Sequence, residues 1–90
     1  MNNLIGKLCI SNKGRDKGNI YLIYSSTANS VTLVDGNAKR IVNPKTKNLK
    51  HVSILDAKSE TIAKKIIENT KVFDSEIFSF IKNYKTAWNL

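Results

Sequence analysis

The feature that most constrains this chain is a change in the period of its apolar residues. Up to Leu55 they come in short runs that alternate with polar residues and stop at Gly, Pro, Asn or Asp, whereas after Asp56 they recur every three to four positions. A repeat of two belongs to a strand and one near three and a half to a helix, so strands are expected first and helices second. At 90 residues, two independent cores could not both reach useful depth, and a single folded unit is expected.

Residues 5–11 place Leu8 and Ile10 on one face and Lys7, Cys9 and Ser11 on the other. Residues 19–25 are apolar on both faces, with Ile20, Leu22 and Tyr24 opposite Tyr21 and Ile23, the pattern of a central strand. Residues 30–35 carry Val31, Thr32, Leu33 and Val34 and end in Asp35-Gly36, a hairpin signal because a tight turn needs positive φ at its central positions. The chain is then expected to return as a fourth strand over 38–42, break at Asn43-Pro44, loop through Lys45-Thr46-Lys47-Asn48, and finish with a strand over 50–55. Five short strands in so few residues suit a small barrel better than a sandwich.

Ser59 is suited to cap a helix running to residue 70, with Ile62, Ala63, Ile66 and Ile67 along one stripe. Asp74 is suited to cap a second, running to residue 85, with Phe73 and Phe78 spaced as a hydrophobic staple and Ile77, Phe78, Ile81 and Tyr84 as its apolar face. The junction at 55–58 is short, so residues 56–90 are expected to pack as a helical extension on a barrel formed by 1–55, with Trp88 closing the helical core. The fold class is mainly β with α.

Charge narrows the function. Fifteen Lys and Arg against seven Asp and Glu give +8, a balance that favours a polyanionic partner. Residues 1–55 hold nine basic and two acidic side chains, whereas 56–90 hold six and five, so the binding face is expected in the first part. No apolar stretch approaches the roughly 20 residues of a membrane span, and the opening residues lack the basic-then-apolar pattern of an export signal. With Cys9 as its only cysteine, the chain can form no internal disulfide, and a cytoplasmic setting is expected. Cys9 itself reads as a small core thiol.

Between the first two strands lies Lys13-Gly14-Arg15-Asp16-Lys17-Gly18, three cations with two glycines that let the backbone turn and approach a phosphate chain. Together with Gly6-Lys7-Leu8-Cys9-Ile10-Ser11 before it and the apolar strand from Ile20, this segment resembles the KOW motif, with Gly18 matching the motif's hallmark glycine. The resemblance covers about residues 5–55 and extends through Val34-Asp35-Gly36 and Lys47-Asn48-Leu49-Lys50-His51-Val52 to the small large-subunit ribosomal proteins of archaea and eukaryotes. It implies an SH3-like barrel and binding to structured RNA, in particular ribosomal RNA, on or near the ribosome. The helices fall outside it.

The residues expected to meet RNA are Lys13, Gly14, Arg15, Lys17 and Gly18 in the first loop, and Lys45, Lys47, Lys50 and His51 farther on. Lysines hold phosphates as point charges, while Arg15 offers bidentate or stacking contacts. Tyr21 and Tyr24 could stack on bases but fit better as core or rim residues. His51 and Cys9 fall short of the four ligands of a structural zinc site, so no metal and no cofactor are expected. No phosphate loop, acid pair or nucleophile constellation is evident, so no enzyme is expected. The competing reading is a protein-interaction module in which the helices or an exposed barrel edge engage a ribosomal, translation or transcription protein. The oligomeric state is left open.

Overall fold

The computed structural model describes residues 2–89. Its strands are β1 (Lys7–Ser11), β2 (Ile20–Ser26), β3 (Ser30–Val34), β4 (Lys45–Asn48) and β5 (Val52–Lys58), followed by helices α1 (Glu60–Ile67) and α2 (Asp74–Ala87). Short 3-10 turns occupy Asn2–Leu4 and Leu49–His51. All strand pairings are antiparallel, in the order β4-β3-β2-β1-β5. The strand that is apolar on both faces, β2, is the middle one.

Two cores explain that pattern. On one face of the sheet, Leu8, Ile20, Leu22 and Val34 pack against Ile62 of α1, Val72 of the connection, and Ile77 and Ile81 of α2. On the other face, Cys9, Tyr21, Ile23, Val31, Leu33 and Val52 enclose a second core. Register irregularities between Lys7 and Cys9 and between Ile23 and Ser25 bend the strands so that the sheet curls around this second core. The turn Leu49–His51 carries the chain from β4 at one edge to β5 at the other. The result is a five-stranded SH3-like barrel left open between its edge strands.

The fourth strand is not where the alternation places it. Asp35 Oδ1 accepts the N–H groups of Asn37 (2.9 Å) and Lys39 (2.8 Å), and the Lys39 carbonyl accepts from Asp35 and Gly36. This side chain competes with the ladder and folds the segment into a compact turn instead of a hairpin. Ile41 then donates its N–H to Asp74 Oδ1 (2.9 Å), pinning the loop to the start of α2. Gly36, at φ +77°, lies so close to that helix that a Cβ there would come within 2.8 Å of the Phe78 nitrogen. The chain re-enters the sheet only at Lys45, so the segment expected as a loop is β4 and the one expected as a strand is the loop.

Asp74 is therefore spent on the loop and does not cap α2. The N-cap is Phe73, whose N–H donates to Glu76 Oε2 (3.0 Å), and the staple positions fall on buried Val72 and Ile77, one residue before the expected pair. Phe73 and Phe78 are 56% and 44% exposed. Trp88 does not close the core: it is 67% exposed, its ring centroid 6.3 Å from that of Tyr84. Ser59 does cap α1, accepting the Ile62 N–H at 3.1 Å. That helix stops earlier than expected because Asn69 adopts φ +58°, with Asn69 and Thr70 donating back to Ile66 and Lys65. Lys65 Nζ lies 2.8 Å from Glu76 Oε1, linking the helices.

Candidate nucleic-acid interface

The β1–β2 connection, residues 12–19, is closed by backbone bonds at its base. Gly18 donates to the Ser11 carbonyl (2.8 Å) and Ser11 to that of Asn19 (2.9 Å), while Asn19 donates to that of Asp16 (2.9 Å). Gly18 makes the bend at φ +94°, a conformation L side chains rarely adopt, and no atom lies within 4 Å of where its Cβ would be. Glycine is required here by the backbone angle, and the space beside it is open to a ligand.

Asp16 organises the loop. Its Oδ1 accepts from Ser11 Oγ (2.9 Å) and Lys47 Nζ (3.0 Å), and its Oδ2 accepts from the Tyr21 hydroxyl (3.0 Å) and lies 3.3 Å from Lys45 Nζ. Lys47 also donates to the Lys13 carbonyl at 2.8 Å. Lys45 and Lys47 are paired in register with Leu33 and Val31, both residues of the barrel core, so their side chains leave β4 on the core face and reach across the barrel mouth to the carboxylate. The Asp16 side chain is only 11% exposed. Burial raises its pKa, but the bonds from Lys47, Ser11, Tyr21 and Lys45 outweigh burial and hold the carboxyl well below the usual carboxylate range.

Around this anchor the remaining cations face solvent. Lys13, Arg15, Lys17 and Lys50 are exposed, and no ion pair involves them among the described residues. His51 closes the other side of the mouth, its carbonyl accepting the Asn12 N–H at 3.0 Å. Partial desolvation first, then the charges of Lys13, Lys50 and Lys47, lower the His51 pKa below 6.5. Those three lysines thus crowd one imidazole. The fold thus brings Lys45, Lys47 and His51 to the loop that carries Lys13, Gly14, Arg15, Lys17 and Gly18, while Lys50, close enough to act on His51, also lines a recess with Ala28 and Asn29.

Two residues that hold this surface together were not among those nine. Asp16 is the lone acid in a basic run, and that isolation is the signal the sequence offers for it. Tyr21 is buried, with burial foremost among the causes that raise its pKa, and its hydroxyl is committed to Asp16, so it supports the loop from below. Cys9 is fully buried opposite Ile54, and desolvation pushes its thiol up to about 12.

Among the described residues, no group of three or more His, Cys, Asp and Glu is placed to hold a metal ion, and no helix is long and apolar enough to cross a membrane. No family model matches the chain. Over 56 residues it is 38% identical to the large ribosomal subunit protein eL14 of Methanococcus vannielii, a match covering 62% of this chain and 68% of that protein.

Proposed function

The chain belongs to the family of the large ribosomal subunit protein eL14, and from that premise we propose that it binds structured RNA, in particular ribosomal RNA, as a ribosomal or ribosome-associated KOW protein of the cytoplasm. The supporting observation is that Lys45 and Lys47 converge on the half-buried Asp16 carboxylate of the loop that carries Lys13, Arg15 and Lys17, with Lys13, Lys47 and Lys50 crowding His51 beside it. Lys13, Lys17 and Lys50 meet phosphates as point charges, Arg15 grips one in a bidentate contact, and Gly14 and Gly18 let the backbone come close. The role is binding, with no cofactor and no chemistry on the RNA.

The geometry also sets the charge available. Four unpaired cations, plus the single positive charge left over when Lys45 and Lys47 share Asp16, correspond to about five phosphates, for a log–log salt slope of roughly −3.5 to −4.5. The test is to sediment ribosomes from cell extract through a salt series. Replacing Lys13, Arg15 and Lys17 with Ala should release the protein at lower salt while its melting curve is unchanged. Salt-insensitive association, or a silent triple substitution, would defeat the reading.

The exposed Trp88 favours a second reading, in which the helical extension engages a ribosomal or translation protein. Because Ile62, Ile77 and Ile81 share a core with the sheet, removing the helices would disturb the barrel. Trp88→Ala is the cleaner test: loss of ribosome association with the basic-loop variant silent would select this reading.

A further inference from the structure

Two adjoining recesses lie between α2 and the loop that follows β3. The first is lined in part by Phe78 and Ile81, by Asn37, and by Lys82 and Lys85, and includes Asn19, whose side chain is engaged by the Tyr21 hydroxyl. The second shares Asn37 and Phe78 and adds Phe73 and Arg40. Each also includes one carboxylate, but Asp35 accepts the N–H groups of Asn37 and Lys39, and Asp74 accepts that of Ile41. From residue 77 to the end of α2 the helix carries no acid, only Lys82 and Lys85.

This combination narrows the occupant. A purely apolar partner would cover Phe78 but leave the Asn37 amide and the surrounding cations without partners. A nucleobase has a π face for Phe78 and a hydrogen-bonding edge for Asn37, and its flanking phosphates match Lys82 and Lys85. The position agrees with this. Asn19 directly follows Gly18, and its N–H and carbonyl are tied to Asp16 and Ser11, so the first recess begins where the basic loop ends. A strand lying over the open space beside Gly18 passes Asn19 and Ile20 before it meets Lys82 and Lys85 on α2.

We propose that this cleft captures an unpaired base of the bound RNA, with Phe78 as the stacking face, Asn37 reading the base edge, and Lys82 and Lys85 holding the neighbouring phosphates. The inference rests on the RNA-binding reading above and adds to it a preference for RNA with unpaired bases.

The test uses two labelled RNAs, a hairpin with an unpaired loop and a blunt duplex with the same stem, titrated with the full chain by fluorescence anisotropy. Phe78→Ala should weaken hairpin binding relative to duplex binding by about fivefold or more, and Phe78→Tyr should restore the ratio. Lys82→Gln with Lys85→Gln should reduce the hairpin salt slope by about 1.4, the share of two phosphates. Thermal melting confirms folding, and 4-thiouridine in the hairpin loop provides a second readout, a photocrosslink to the peptide containing Asn37 or Phe78.

An unchanged affinity ratio in folded Phe78→Ala, or crosslinks confined to residues 12–18, overturns the proposal. An unchanged ratio is also what a protein-docking cleft would give. If the Lys13, Arg15 and Lys17 triple variant loses both RNAs while Phe78→Ala leaves the ratio intact, the cleft fails and the basic loop stands. If the unaltered chain binds neither RNA, both readings fall.

Discussion

Replacing Asp16 with Asn keeps the size of the side chain and removes its charge, so it measures what the carboxylate does for the barrel mouth. Four groups bear on it. Bonds from Ser11, Tyr21 and Lys47 are enclosed, with Lys47 only 12% exposed, whereas Lys45 is 32% exposed and can swing into water. The Asn oxygen can take the place of Oδ1, where exchanging a charged for a neutral acceptor lowers the Ser11 and Lys47 bonds from about 1.5–3 to about 0.5–1.5 kcal/mol each, while the NH2 in place of Oδ2 can only donate, so the Tyr21 hydroxyl must turn to accept. The Lys45 contact, screened by solvent, adds about 0–1 kcal/mol. Partial rearrangement makes these terms less than additive, and the expected loss is about 2–3 kcal/mol. For a domain of this size that is a fall in Tm of about 10–20 °C.

Urea unfolding followed by circular dichroism is the assay, with a double-mutant cycle against Lys47→Met to isolate the central pair. Coupling of about 1 kcal/mol or more is expected, because each substitution removes the same contact. A loss below about 0.5 kcal/mol, or additivity within about 0.3–0.5 kcal/mol, would refute the reasoning. The pH dependence has a definite sign. Because the folded carboxyl titrates below its ordinary value of 3.8, its contribution is complete above that value and disappears as pH falls through the depressed one. Acid should therefore narrow the gap between the unaltered chain and Asp16→Asn.

Cys9, fully buried and with its thiol pushed up to about 12, should resist iodoacetamide at neutral pH in the native state and react once urea unfolds the chain; rapid native labelling would contradict the core assignment. His51 titrates below 6.5 in the free protein, and a phosphate beside it would raise that value. RNA binding should thus take up a proton and tighten as pH falls from about 7.5 to about 6, and His51→Gln should flatten the trend in anisotropy titrations. Gly36→Ala should destabilise more than Gly18→Ala in thermal melts. Both adopt positive φ, at about 1–2 kcal/mol for an L residue, but only at Gly36 would the new Cβ also collide with the α2 backbone.

Most of the sheet was legible because its strands announce themselves through burial. Residues 20–23 are apolar on both faces because both faces are covered, and Ser59 is a cap because its hydroxyl can reach the Ile62 N–H. The reading failed where a side chain overrides the local pattern. Asp35 turns the chain through its own carboxylate, and Asp74 holds Ile41 from 33 residues away. No window around 38–42 contains that second partner. For the same reason Val72 and Ile77, not Phe73 and Phe78, form the staple: with Asp74 engaged by the loop, the helix boundary moves by one residue.

The strand the sequence conceals is also the one that matters most for the surface. β4 reads Lys45-Thr46-Lys47-Asn48, with no apolar residue to bury, so period-two alternation has nothing to register. What holds it is its ladder to β3 and the reach of Lys45 and Lys47 to Asp16. A barrel edge made of lysines would ordinarily be repelled by a basic loop; the single acid in that loop reverses the sign of the interaction where the two meet. Asp16 therefore serves two ends at once. It docks an edge strand that hydrophobic burial cannot hold, and it pairs with both lysines of that strand while Lys13, Arg15, Lys17 and Lys50 stay exposed. Folding the barrel and arranging its basic surface are in that sense one event, which is why a carboxylate sits among these lysines.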